Sequence, residues 1–197
     1  EEEEEDDTET DTDGDGDTDS NNPTVSRYEV GVNPTTDASI WNGELIGNVF
    51  FVKTSGTLES FSFHHETDHK GGCKLDFLVL ARDTSPKAGA ESPWTVEREF
   101  NSIIVGKEST NSGALGVSLK PNAFYATAVH AVECTGRQGL SHPVQANRDG
   151  PSDVGVGDTI GYVRGEKKTE SNGSVTGVTF EDEYTSPYMT TLHISGL

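Results

Sequence analysis

Apolar residues in this chain recur at alternate positions over short stretches, and turn-forming residues separate the stretches. Residues 46–54 (IGNVFFVKT) and 57–65 (TLESFSFHH) read as two strands about a turn at Gly56, the second placing Phe61, Phe63 and His65 on one face. Residues 74–82 (KLDFLVLAR) are denser, with Leu75, Phe77, Val79 and Ala81 on one face and Leu78 and Leu80 on the other. Such two-sided apolarity predicts a central strand covered on both faces. A Pro/Gly-rich loop at 84–93 leads into 94–105, where Trp94, Val96 and Phe100 alternate with polar partners and Trp94 is expected in the core. Leu115, Val117 and Leu119 alternate next, followed by a turn at Pro121-Asn122 and a strand near 123–133. Residues 136–157 carry little patterning and predict a long loop. Shorter strands are expected near 158–164, 174–181 and 188–195, the last grouping Tyr188, Leu192 and Ile194.

Some nine short strands joined by turn signals predict an all-β domain, an antiparallel β-sandwich with jelly-roll rather than immunoglobulin order. Composition agrees, since 22 glycines, a single methionine and the lack of Ala/Leu/Lys-rich stretches disfavour helices. From Gly47 onward, the order Asn48-Val49-Phe50-Phe51-Val52, Leu58 to Phe63, Cys73 to Leu80, Trp94, Gly116 to Leu119 and Phe124-Tyr125 resembles jelly-roll domains of bacterial surface and secreted proteins, carbohydrate-binding modules among them. The resemblance implies a fold and, by association alone, a binding role.

Charge divides the chain. Thirteen of the 34 acidic residues lie in residues 1–22 with no basic residue, so the net charge of −20 splits into −13 there and −7 over the remainder. The expected organisation is therefore an acidic linker at 1–23 and a β domain at 24–197. A mildly acidic domain without a Lys/Arg cluster argues against nucleic acid, which needs its phosphates neutralised, and against anionic membrane surfaces. No apolar run approaches the roughly 18 residues of a membrane span, and no signal peptide is expected at the acidic start, which reads as a processed or trimmed terminus.

Within the acidic segment, Asp11-Thr12-Asp13-Gly14-Asp15-Gly16-Asp17-Thr18-Asp19 sets an oxygen at every second position. A hard divalent cation takes six to eight such oxygens, and Gly16 permits the sharp turn between them. Asp11, Asp13 and Asp15 match the first three carboxylates of a calcium loop, and Asp17 would offer its carbonyl. The twelfth position is Asn22 rather than a bidentate Glu, and Pro23 stands where an exit helix would begin. The pattern resembles one unit of the thrombospondin type 3 repeats of secreted proteins, which implies Ca2+ ligation by Asp11, Asp13, Asp15, Asp17 and Asp19 and a stiffened spacer. The alternative reading of the same residues is an acidic leader kept extended by its own repulsion.

Cys73 and Cys134 lie in or beside predicted strands. Bonded, they would close a loop of about sixty residues, which the chain-entropy model values at roughly 4 kcal/mol. An even cysteine pair beside calcium-like chemistry favours an oxidising, extracellular or cell-surface setting.

Other constellations are less specific. His64-His65-Glu66-Thr67-Asp68-His69 gathers metal-ligating types, yet adjacent histidines on a strand point to opposite faces, so only His65 and His69 could converge, and a polar loop tip is the plainer reading. His130, His142 and His193 stand alone in the sequence and read as surface or satisfied strand residues rather than ligands. Glu181-Asp182-Glu183 offers paired carboxylates for glycoside hydrolysis, with a solvated strand end as the simpler account, which also covers Glu97 and Glu99. Asp149, Asp153 and Asp158 are a loose calcium alternative. Trp41, Tyr184 and Tyr188, with Trp94 and Tyr162 less favoured, are the flat faces on which a sugar ring would stack. The combined expectation is a non-catalytic adhesion or glycan-binding module on an acidic spacer. The alternatives are a self-assembling structural subunit or a glycan-cleaving enzyme.

Overall fold

A computed structural model describes residues 24–31, 36–65, 72–91, 93–105, 108–134, 140–144, 151–182 and 188–197. Every regular element among them is a strand. In chain order these are β1 (Val25–Val30), β2 (Thr36–Ile40), β3 (Glu44–Val52), β4 (Gly56–His64), β5 (Cys73–Arg82), β6 (Trp94–Ile104) and β7 (Ser109–Asn111). They continue with β8 (Val117–Leu119), β9 (Phe124–Cys134), β10 (Leu140–Val144), β11 (Gly157–Thr169), β12 (Ser174–Glu181) and β13 (Thr190–Ser195). The pairings between these strands are all antiparallel. No helix of the described residues is long and apolar enough to cross a membrane.

Six strands close on themselves in the order β11-β12-β6-β5-β9-β3, with β3 returning to β11. A second sheet, β1-β13-β4-β7 with β8 also on β4, packs against this barrel, and β10 and β2 form a separate pair. The all-β class and the facing of sheet on sheet follow the sequence pattern. What the pairings add is barrel closure; they do not establish jelly-roll order.

Alternation explains both cores. Leu45, Val49, Leu78, Leu80, Trp94, Ala126, Ala128, Val163, Val175, Val178 and Phe180 form one buried cluster, and since all six barrel strands contribute to it, it fills the barrel interior. On β5 the opposite set, Leu75, Phe77, Val79 and Ala81, joins Phe50, Phe61, Phe63, Leu58, Leu192 and Ile194 in the core between barrel and second sheet. Phe61 and Phe77 meet across that layer at 5.1 Å between ring centres. Asn48 pins the layers together, donating to the Tyr188 carbonyl at 2.6 Å and to Thr190 Oγ1 at 3.0 Å while accepting from the Tyr188 N–H at 2.9 Å.

Close strand approach depends on Gly47. A Cβ placed there would lie 2.6 Å from both the Ala128 Cβ and the Thr127 carbonyl oxygen, so β3 and β9 could not pair as they do.

Cys73 and Cys134 are register partners on β5 and β9 and are joined in a disulfide. Several segments differ from the sequence reading: β1 and β2 form where no strand was expected, and Ser109–Asn111, in the Ser/Thr/Asn/Gly stretch 109–113 that reads as a loop, pairs with β4 as β7. Residues 140–144, within the stretch expected to be loop, pair with β2 as β10, and β11 runs on to Thr169 rather than ending near 164. Both have weak local alternation; β10 gains its place from a backbone partner a hundred residues away.

Candidate functional site

The barrel has two ends of different chemistry. Strand register fixes which residues meet at each, because Phe51 lies opposite Phe124 and Arg82 opposite Phe124 at one end, while Leu45 lies opposite His130 and Asp76 opposite His130 at the other.

At the first end Phe51, Phe124, Phe180 and Ile160 surround an open pocket of about 400 Å³, completed by Ser85, Pro86, Ala88 and Asp182. The rings of Phe51 and Phe124 stand 5.0 Å apart and tilted by 42°, forming two walls of a wedge. Phe180 precedes Asp182 by two positions, and the period of two on β12 aims both toward the pocket, with Glu181 between them. The 85–88 segment is held against β12 by the N–H of Gly89, which donates to the Phe180 carbonyl at 2.8 Å. Beneath the pocket Trp94 is buried in the barrel, with the Arg82 guanidinium 5.4 Å from its ring centre. Arg82 Nε and Nη2 donate to the Thr84 carbonyl and hydroxyl, and burial lowers its affinity for a proton. Asp182 is the only ionisable residue among the described pocket lining.

The second end is closed by charge. Lys167 Nζ is bonded to Glu99 Oε1 and lies 3.6 Å from Asp76 Oδ2, which also meets His130 Nδ1 at 3.0 Å. Asp76 Oδ1 accepts the Ser102 N–H at 2.9 Å. Side-chain exposures of 11% for Lys167 and 9% for Asp76 make this a nearly buried plug rather than a surface pair. His130 is a satisfied strand residue, one of the two kinds expected of it, whereas Glu99, expected as a solvated charge, is half-buried and bonded to Lys167 in the same network. Their signal in the sequence was faint, because an isolated charge on an amphipathic strand shows no partner.

Beside the plug, Asn42 clamps the β2–β3 turn to β9, its Oδ1 accepting the Cys134 N–H at 2.6 Å and its Nδ2 donating to the Cys134 carbonyl at 3.3 Å. That turn presents Trp41, which is 48% exposed. Ile104 at 73% and Val132 at 41% are also exposed at this end.

The remaining sequence candidates fall in different places. Tyr188 is only 3% exposed, its ring edge-on to Tyr162 and His142, and burial pushes its phenol proton affinity well up. Its ring is part of the interlayer core and is not joined to Trp41 in one aromatic surface. Tyr184 and Glu183 lie outside the described residues, as do Asp149, His69 and the whole of Asp11, Asp13, Asp15, Asp17 and Asp19. His64 and His65 diverge to opposite faces as alternation requires, bonding Thr191 Oγ1 and Thr110 Oγ1, each at 2.9 Å. Asp158 is ion-paired with Lys53, and Asp153 accepts the Gly155 N–H at 2.7 Å. Among the described residues no group of three or more His, Cys, Asp or Glu is placed to hold a metal.

The pocket residues Phe51, Phe124, Ile160 and Phe180 were not singled out from sequence. One signal was present: Phe50-Phe51 puts two aromatic rings on opposite faces of one strand, so both faces must be covered, and at the end of a barrel the cover is incomplete. No family model matches the chain, and no curated protein or solved structure matches it either.

Proposed function

We propose that this chain is a non-catalytic binding module of the cell exterior or surface. Residues 1–23 form an acidic spacer that takes calcium through Asp11–Asp19, and residues 24–197 form the β domain that holds a ligand at the apolar mouth of its barrel. The observation that carries this reading is the 400 Å³ pocket itself, in which the described lining sets three phenylalanine rings and an isoleucine around one carboxylate, Asp182. Concave, mainly apolar sites with few polar groups are where small ligands and the flat faces of sugar rings bind. The Cys73–Cys134 bond supports an oxidising setting.

The test is a titration of the full chain with a panel of glycans and small apolar ligands, followed through the methyl resonances of Ile160 and Ala88. Binding shifts those methyls, and Phe124→Ala weakens it; an unmoved pair of methyls across the panel overturns the pocket. Calcium is tested separately, by the melting temperature and the amide exchange of residues 11–19 with and without chelator, and identical behaviour in both removes the ion from the proposal.

A second reading, a structural subunit of an extracellular assembly, is favoured by Trp41, Ile104 and Val132 standing exposed at the end opposite the pocket. It requires light scattering to rise with concentration and Trp41→Ala to abolish the rise.

A further inference from the structure

We propose that the pocket at the barrel mouth selects an organic cation, a quaternary or highly alkylated ammonium group, in preference to a neutral ligand of the same shape. This rests on the pocket being a binding site. Two observations point to the class. Phe51, Phe124 and Phe180 bring three aromatic rings to one concavity, and the face of each ring carries the negative side of its quadrupole. Asp182, two residues after Phe180, adds a carboxylate at the rim.

An alkylated ammonium fits this combination better than a simple ammonium or a sugar. Its methyl groups bury apolar surface against Phe51, Phe124, Ile160 and Pro86 without asking for hydrogen-bond acceptors that the rings do not have. Its diffuse charge is attracted to the ring faces and to Asp182. Among the described residues Ser85 and Asp182 are the only polar side chains of the lining, so a sugar ring would meet mainly apolar walls there and leave most of its hydroxyls without partners.

The cations near this end do not occupy the site. Arg82 is committed to Thr84 and to the Trp94 ring, Lys53 is paired with Asp158, and Lys87 is exposed on the 85–88 segment without belonging to the lining. The domain's net charge of −7 adds a weak long-range attraction of the same sign.

The experiment is calorimetric titration of the full chain with choline, tetramethylammonium and the neutral isostere 3,3-dimethylbutan-1-ol. Ile160 and Ala88 methyl shifts locate the binding. Choline is expected to bind about ten-fold more tightly than the isostere, a difference of the size that cation–π and carboxylate contacts supply. In Asp182→Asn that preference shrinks several-fold while the affinity of the isostere is unchanged, and Phe124→Leu, which keeps apolar bulk and loses the quadrupole, also lowers choline more than isostere. Equal binding of choline and isostere overturns the cation inference and leaves the apolar pocket standing. Binding of a neutral sugar with no binding of choline also overturns it. Binding of none of these probes, with both methyls unmoved, overturns the pocket and the inference together.

Discussion

Replacing Lys167 by methionine isolates the charge plug. The substitution keeps an unbranched stem in the barrel and removes only the ammonium that Glu99 and Asp76 share. The gross attraction to Asp76, at 3.6 Å and an effective dielectric of about 20, is roughly 4–5 kcal/mol, much of it offset by the cost of keeping an ammonium away from water. The two carboxylates then respond differently. Glu99, with a side chain 27% exposed, can turn toward solvent. Asp76, at 9%, cannot, and is left with the Ser102 N–H and His130 as partners. Losing one member of a fully buried pair costs about 3–5 kcal/mol, whereas exposed pairs are worth under about 1. The residual hydrogen bonds to Asp76 place Lys167→Met between these limits, near ~2 kcal/mol. Urea denaturation at neutral pH measures it. Adding Asp76→Asn to Lys167→Met should recover half of the loss or more, because the charge that lost its counterion is removed while the Ser102 contact is kept. A Lys167→Met protein within about 0.5 kcal/mol of the parent would refute the reasoning, since that is the scale of a solvated surface substitution.

The other predictions concern the backbone, the cross-link and pH. Gly47→Ala should destabilise by about 1–3 kcal/mol in the same assay, because the new Cβ meets the Thr127 carbonyl and the Ala128 Cα as well as the Ala128 Cβ. Ala128→Gly should therefore rescue it only in part, and a full rescue would show that the side-chain contact was the whole obstruction. Replacing both Cys73 and Cys134 by serine opens a loop with a sequence separation of 61 and should lower stability by roughly 4 kcal/mol, a loss that reductant reproduces in the parent; a change below about 1 kcal/mol contradicts the chain-entropy account. His64 has its proton affinity lowered from the ordinary 6.5, first by burial and also by Arg27, against an opposing effect of Glu29. The unfolded chain thus binds the proton more readily than the folded one, so the stabilisation is complete above pH 6.5 and is lost as pH falls through the lowered folded value. The parent should lose more stability between pH 7.5 and pH 5 than His64→Gln does, and equal losses would exclude His64 as the cause.

Strand identity was legible because β structure writes itself in a period of two. The two-sided run 74–82 already separated Leu78 and Leu80 from Leu75, Phe77, Val79 and Ala81, and these sets occupy the barrel interior and the interlayer core respectively. Trp94 was legible as core for the same reason. The site was much less legible. Of the flat faces the sequence offers for stacking, Trp41 is exposed, but Tyr188 shows how an aromatic residue in a sequence carries no mark of whether its face is free: its environment is set by Asn48, His142 and Tyr162, which lie 26 to 140 residues away. Phe51, Phe124, Ile160 and Phe180 come from four strands, and only barrel closure makes them neighbours.

By itself, then, the sequence determined the class, the alternation of faces and the division of charge between an acidic segment and a mildly acidic domain. These are local properties, fixed by which side of a pleat each residue occupies and by composition. Tertiary structure decided the pairing of Cys73 with Cys134, the meeting of Lys167 with Asp76 and Glu99, and the pocket at the opposite mouth. All three depend on the register of strands distant in the chain and on the closure of β3 onto β11, which no short stretch of sequence encodes.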